Sequence, residues 1–246
     1  ISSRRSSSAG ARVLRGMRPL RKAGLPGGGV EVLADVRSVA ADVNPPLRDV
    51  TGIILAGGKS SRFGRNKALA NLGGRTIIED MVFRFRRAFG EVIIVASDRS
   101  PYEGFGIKVA PDVVPGKGPL GGIHAGLAAA ANPLAFCAAC DMPFVSVELA
   151  SYLASLAAEA DAVVPRVGEH YEPMHAVYTR ACLPAIEKQL SAPDVKIIAF
   201  YPAVRIRLVS EEEVRRFGDP DRIFFNINTP SDYDRAEKMM AGPSTV

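Results

Sequence analysis

The chain has 246 residues, 47% of them hydrophobic and 23% charged, which suits one α/β domain, with or without an extension, and an ample core. No apolar run reaches the ~18 residues of a membrane span, and three cysteines make no disulfide framework, so a reducing, cytoplasmic setting and no membrane partner are expected. The net charge of +5 belongs to one end: seven of the 31 Lys and Arg lie in residues 1–30, which hold no acid, leaving 24 basic against 26 acidic residues. With so neutral a body, the pI of 9.2 is no argument for a nucleic-acid partner.

Residues 1–48 read as a disordered basic extension, rich in Ser, Arg and Gly near its start. Its acid-free start resembles a transit peptide, although a dispensable extension explains it as well. Pro45-Pro46 breaks the chain before the first confident strand. Residues 49–241 read as a single domain and 242–246 as a tail. Strands are expected at Ile53–Ala56, Val92–Ala96, Ile107–Val109, Ala135–Ala139, Ala162–Val164, Ala176–Tyr178, Val204–Leu208 and Phe224–Ile227. Helices are expected at Thr76–Phe89, Leu120–Ala131, Leu149–Ala158, Ala181–Leu190, Ser210–Phe217 with Ser210 as cap, and Ser231–Met240. This alternation predicts an α/β fold: a three-layer, Rossmann-like, mostly parallel sheet with helices on both faces. Ligands of such sheets bind at the carboxyl ends of the strands.

The first strand runs into Leu55-Ala56-Gly57-Gly58-Lys59-Ser60-Ser61-Arg62-Phe63-Gly64-Arg65-Asn66-Lys67. Small residues let main-chain N–H groups approach phosphate oxygens, and four basic residues add charge. The stretch lacks both the Walker spacing and G-x-G-x-x-G. Its pattern, L-A-G-G-x-S-x-R-(M/F)-G-x-x-K, resembles the signature of nucleotidyltransferases that consume an NTP and release pyrophosphate.

Three further clusters follow strands. In Pro111-Asp112-Val113-Val114-Pro115-Gly116-Lys117-Gly118-Pro119-Leu120-Gly121-Gly122, the glycines let a helix start lie against a ligand; a tight strand-to-helix connection is the plain alternative. Asp141, in Cys140-Asp141-Met142-Pro143, puts a hard oxygen ligand for Mg²⁺ at the active edge, where a turn aspartate is the alternative. In Asn226-Ile227-Asn228-Thr229-Pro230, alternate strand residues would aim both amides at one ligand, while Thr229 and Pro230 also fit a helix start. Cys137 and Cys140 stand in an apolar strand without a second pair, which fits buried small residues better than zinc. The three histidines have no triad or metal spacing.

Together L-A-G-G-K-S-S-R-F-G-R-N-K, the Pro111–Ile123 segment, C-D-M-P-F, E-P-M-H-A-V-Y and N-I-N-T-P-S-D-Y resemble the molybdenum cofactor guanylyltransferases, in order from about Thr51 to Met240. The resemblance implies transfer of GMP from GTP to the terminal phosphate of molybdopterin, with Mg²⁺ as cofactor. GTP and molybdopterin would be the substrates, and molybdoenzymes or cofactor-biosynthesis proteins the protein partners. It assigns Leu55, Ala56, Gly57, Lys67, Asp98, Asp112 and Asp141 to the nucleotide and Asp141 to the metal. Lys67, Arg62 and Asp141 take the catalytic roles; Asn226, Asn228 and His175, with Pro173 nearby, take the molybdopterin half. Asp98 stands where family members often carry asparagine. Cytidylyl relatives usually show L-A-A-G, and Gly58 in place of that alanine favours GTP. A CTP-dependent enzyme, or one with another phosphate-ester acceptor, is the alternative.

Overall fold

A computed structural model describes residues 47–57, 67–112, 114, 116–193 and 195–241, with the main chain alone at Lys67. The expected extension up to Pro46, the tail 242–246 and Arg62 lie outside the described residues.

In chain order the strands are β1 (Leu47–Leu55), β2 (Asn71–Leu72), β3 (Arg75–Thr76), β4 (Phe89–Ala96), β5 (Lys108–Pro111), β6 (Leu134–Ala139), β7 (Ala162–Val167), β8 (His170–Tyr171), β9 (His175–Thr179) and β10 (Ile206–Val209). The helices are α1 (Ile77–Ala88), α2 (Gly118–Ala129), α3 (Val147–Ser155), α4 (Leu183–Leu190), α5 (Glu211–Arg215), α6 (Pro220–Ile223) and α7 (Pro230–Ala241). The main sheet has the order β10-β7-β9-β6-β1-β4-β5, with β8 beside β7. β2 and β3 form a separate small hairpin that the sequence reading did not contain.

Side-chain alternation along β1 explains the three layers. Ile54 joins Met81 and Phe85 of α1 and Leu149 and Leu153 of α3 in one apolar cluster. Its neighbours Ile53 and Leu55 join Ile123 and Leu127 of α2 and Ile186 of α4 in the other. Both faces are covered, so the central strands are apolar throughout. Two helices start with reciprocal capping boxes. Thr76 Oγ1 accepts from the Glu79 N–H (3.3 Å), and Glu79 Oε2 accepts from the Thr76 N–H (2.7 Å). The expected cap of α5 is present too, with Ser210 and Glu213 bonded at 3.2 and 2.8 Å.

Two details depart from the sequence reading. β9 runs antiparallel to both β6 and β7, because the chain turns straight back after β7 through Gly168 (φ 54°) and has no crossover helix to restore direction. Phe224–Ile227 is not a strand. Phe225 and Ile227 instead pack with Leu72, Ile77 and Ala236 in a third apolar cluster, so tertiary packing overrides their β propensity.

β1 begins at Leu47, two residues before the expected domain start, and its register with β4 shifts between Leu47 and Thr51. There Gly90 lets β4 approach closely: a Cβ would lie 1.8 Å from the Arg48 carbonyl oxygen. Gly90→Ala is therefore expected to cost about 1–3 kcal/mol, as an overpacked contact does, with a lower urea midpoint and an unchanged slope.

Candidate nucleotidyl-transfer site

Register aligns the carboxyl ends of four strands. Leu55 of β1 pairs with Val95 of β4 and Ala139 of β6, and Ala96 of β4 pairs with Pro111 of β5. The main chain then leaves the sheet at Ala56, Ser97, Asp112 and Cys140. Polar side chains that cannot sit in the apolar sheet collect there.

At the centre the Ala56 N–H still bonds the Val95 carbonyl (2.8 Å) and the Cys140 N–H bonds the Leu55 carbonyl (3.0 Å). Gly57 is exposed, and a Cβ there would meet nothing within 4 Å. Among the described residues, packing therefore does not demand glycine here. The Tyr102 hydroxyl, on a buried side chain, donates to the Ala56 carbonyl at 3.4 Å. Sequence reasoning missed Tyr102, which has no motif around it.

Asp98 and Asp112 lie on the β4–β5 side. Asp98 Oδ1 accepts from the Ser100 N–H at 3.0 Å and starts a short 3-10 turn, Ser100–Phe105. Asp112 Oδ1 accepts from the Val114 N–H at 3.3 Å. It also lies 3.1 Å from where a Gly121 Cβ would be, so glycine lets the first turn of α2 close on this carboxylate. Among the described residues no side chain caps α2, and its first turn has no acid. Open N–H groups at such a terminus suit a phosphate.

Asp141 follows β6, and its carbonyl accepts from the Ile227 N–H at 2.9 Å. That bond brings Asn226 and Asn228, one residue to either side, next to Asp141. They arrive on an irregular segment rather than the expected strand. Asn226 Nδ2 donates to the Phe224 carbonyl (2.8 Å). Asp232 Oδ2 accepts from the N–H groups of Asn228 (3.0 Å) and Thr229 (2.9 Å). Thr229 Oγ1 accepts in turn from the Asp232 N–H (3.1 Å), so Thr229 and Pro230 do open α7, as their helix-start reading held. Arg84 holds the loop after Asp141 from below. It donates to the carbonyls of Pro143 and Val145, both at 2.7 Å, and pairs with Asp80 at 2.9 Å. Sequence reasoning missed Arg84.

His175 does not reach this edge. Its imidazole is fully buried, edge-on to Phe136 and Phe224 at 4.9 and 5.2 Å. Direct contact with molybdopterin, expected from its motif, is corrected to a core position. β9 pairs with β6 through His175 and Ala138, and this turns the ring into the sheet's apolar face. Burial lowers its pKa to about 3. The position missed in the same motif is Glu172, whose pKa burial raises to about 7. Cys137 is fully buried, and burial pushes its thiol well up.

An α/β sheet covered on both faces, with a small-residue turn, aspartates and asparagines at its carboxyl edge, defines a nucleotidyltransferase of the nucleotide-diphospho-sugar-transferase type. The chain belongs to the MobA-like NTP transferase domain family, which matches residues 52–203. A probable molybdenum cofactor guanylyltransferase of Pelotomaculum thermopropionicum is 44% identical over 199 residues, covering 81% of this chain and 97% of that protein. The molybdenum cofactor guanylyltransferase of Desulfosudis oleivorans is 41% identical, covering 76% and 94%. Among solved structures, molybdopterin-guanine dinucleotide biosynthesis protein A of Archaeoglobus fulgidus matches with a TM-score of 0.69 at 28% identity, covering 78% of this chain and 98% of that one. A 2-C-methyl-D-erythritol 4-phosphate cytidylyltransferase of Thermus thermophilus, at 21% identity and a TM-score of 0.56, shares the fold. Among the described residues no helix is long and apolar enough to cross a membrane.

The buried imidazole predicts a pH dependence. Its folded pKa lies below the unfolded value, so between about pH 6.5 and 3 the unfolded chain binds the extra proton and stability falls with falling pH. The loss at pH 4.5 is about 3 kcal/mol. Urea midpoints at pH 7 and 4.5 should therefore differ less in His175→Phe than in the wild type.

Proposed function

We propose that this chain transfers GMP from GTP to the terminal phosphate of molybdopterin, forming the guanine dinucleotide form of the cofactor and releasing pyrophosphate. The observation that carries the reading is the pair of main-chain bonds from Cys140 to Leu55 and from Ile227 to Asp141. They set Asp141 between the small-residue turn and the two asparagines. The names of the relatives support GTP as donor and molybdopterin as acceptor.

No protein nucleophile is required, because the acceptor phosphate is already ionised near neutral pH. One of its oxygens forms a bond to the α-phosphorus of GTP. The bond from that phosphorus to the bridging α–β oxygen breaks, and pyrophosphate leaves with the electron pair. The protein aligns the two phosphates and offsets the developing charge. In this reading Leu55, Ala56 and Gly57 present the turn to the triphosphate. Asp98 and Asp112 border the nucleoside side, Lys67 and Arg62 supply positive charge, and Asn226 and Asn228 orient the acceptor.

The donor set fits Mg²⁺. Among the described residues no group of three or more His, Cys, Asp or Glu could cage a metal. A single carboxylate at a polyphosphate site is the arrangement Mg²⁺ takes with one protein ligand and substrate oxygens. Asp141 would hold it, and when bound it supplies charge neutralisation on the triphosphate.

Pyrophosphate release by the purified protein, with molybdopterin and Mg²⁺, tests the reading. Release is expected with GTP and not with CTP or ATP. Lys67→Ala and Asp141→Ala should each lower kcat by about 10²-fold or more while far-UV circular dichroism stays unchanged. Release with CTP alone would move the enzyme to cytidylyl transfer, and near-normal turnover in either variant would remove that residue from catalysis.

A further inference from the structure

Between β8 and β9 the chain turns through Glu172-Pro173-Met174, on the same edge as Asp141. The main chain of this turn is held by the fold. The Glu172 N–H bonds the Pro165 carbonyl at 2.9 Å, and the Glu172 carbonyl accepts from the His175 N–H at 3.1 Å. The Pro173 carbonyl accepts from the Tyr178 hydroxyl at 2.8 Å, and the Met174 carbonyl from the Ala139 N–H at 3.3 Å. All three carbonyls are therefore satisfied. The last bond ties the turn to β6 two residues before Asp141, on the side away from β4, β5 and the aspartates assigned to the nucleotide.

The Glu172 side chain is not part of that scaffold. It is half-buried, and among the described residues no hydrogen bond or ion pair to its carboxyl is present. Burial alone accounts for its raised pKa. A partly desolvated acid with no cation beside it among the described residues costs stability, and a perturbed group at the edge that carries the site is a candidate functional group. What would satisfy it is a ligand that offers donors. A carboxylate is acceptor-only and can take two parallel N–H bonds. The 2-amino-4-oxopyrimidine ring of a pterin offers two adjacent donors, the ring N3–H and the 2-amino group.

We infer that Glu172 is a specificity-determining residue of the acceptor half, its carboxylate accepting hydrogen bonds from the ring N3–H and 2-amino group of the pterin. This rests on the proposed pterin acceptor and deepens it. Asn226 and Asn228 orient the acceptor from beside Asp141, and Glu172 reads its ring. A pyrimidine-2,4-dione ring in the same place keeps one N–H but turns a carbonyl toward the carboxylate, and is rejected. A glutamine at the position carries an N–H₂ where an acceptor is needed, and loses the distinction.

The test uses the full chain and two synthetic probes, a pterin-6-ylmethyl phosphate and its 2,4-dioxo (lumazine) counterpart, with binding measured by calorimetry. The wild type is expected to bind the pterin ester about tenfold or more tightly than the dioxo ester, the worth of a hydrogen bond to a charged group. Glu172→Gln is expected to abolish that preference while GTP affinity is unchanged. Its melting temperature at pH 8 should equal or exceed that of the wild type, since removing an uncompensated charge does not weaken the fold. A variant that keeps the wild-type preference overturns the inference, and so does one that loses GTP and pterin binding together. If the preference is present and depends on Glu172, yet no pyrophosphate is released with GTP and molybdopterin, the inference stands and the guanylyl-transfer reading falls.

Discussion

The parallel register of β1 with its two neighbours is the constraint on which the rest of this structure depends. A parallel ladder has evenly spaced bonds, so strands of matched register end at one level. Because Leu55 stands opposite both Val95 and Ala139, the chain leaves the sheet at one edge in several places at once. Ala56, Asp98, Asp112 and Asp141 come together there although they are far apart in sequence. Two bonds from groups just past the strand ends, Ala56 to Val95 and Cys140 to Leu55, carry this order outward into the turns. A shift of one residue in the β1–β6 pairing would carry Asp141 away from the turn and face the apolar residues of β6 the wrong way.

The groups that hold the edge differ in kind from the groups that face a ligand. Arg84 spends its guanidinium on two main-chain carbonyls and Asp80. Tyr102 supports the Ala56 carbonyl. His175 fills space between two aromatic rings and stays neutral because burial penalises its charged form. None of them needs to touch a substrate to matter: Arg84 and Tyr102 fix main chain beside polar side chains, and His175 fills the core beneath. Glu172 is the opposite case: its main chain is held, and among the described residues its carboxyl is not. This division lets binding and catalytic side chains be costly to the fold while the supporting groups restore the loss.

Much of this architecture was legible in the sequence. Apolar runs at Ile53, Val92 and Ala135 fit central strands of a covered sheet, and the stripe through Ile77, Met81 and Phe85 fits a buried helix face. Motif spacing placed Leu55–Gly57, Asp112 and Asp141 after strands, and topology then made them neighbours. The direction of β9 was not legible, since periodicity is the same for either direction and only the short return through Gly168 decides it. Phe224–Ile227 reads as a strand because its residues favour strands, but Phe225 and Ile227 pack in a cluster of their own with Leu72, Ile77 and Ala236.

The sequence by itself determined the class of chemistry: a small-residue, basic turn after a strand, acids at later strand ends and a pair of amides in one short motif are local features that survive changes in packing. Only the tertiary structure decided which members of a motif face outward. In Glu172-Pro173-Met174-His175 the resemblance singled out Pro173 and His175 and gave Glu172 no role. Pairing of His175 with Ala138 turns the imidazole into the core, and the turn before it leaves the carboxyl half-buried at the edge. Side-chain direction in a short turn is set by long-range strand pairing, and no local pattern of residues contains that information.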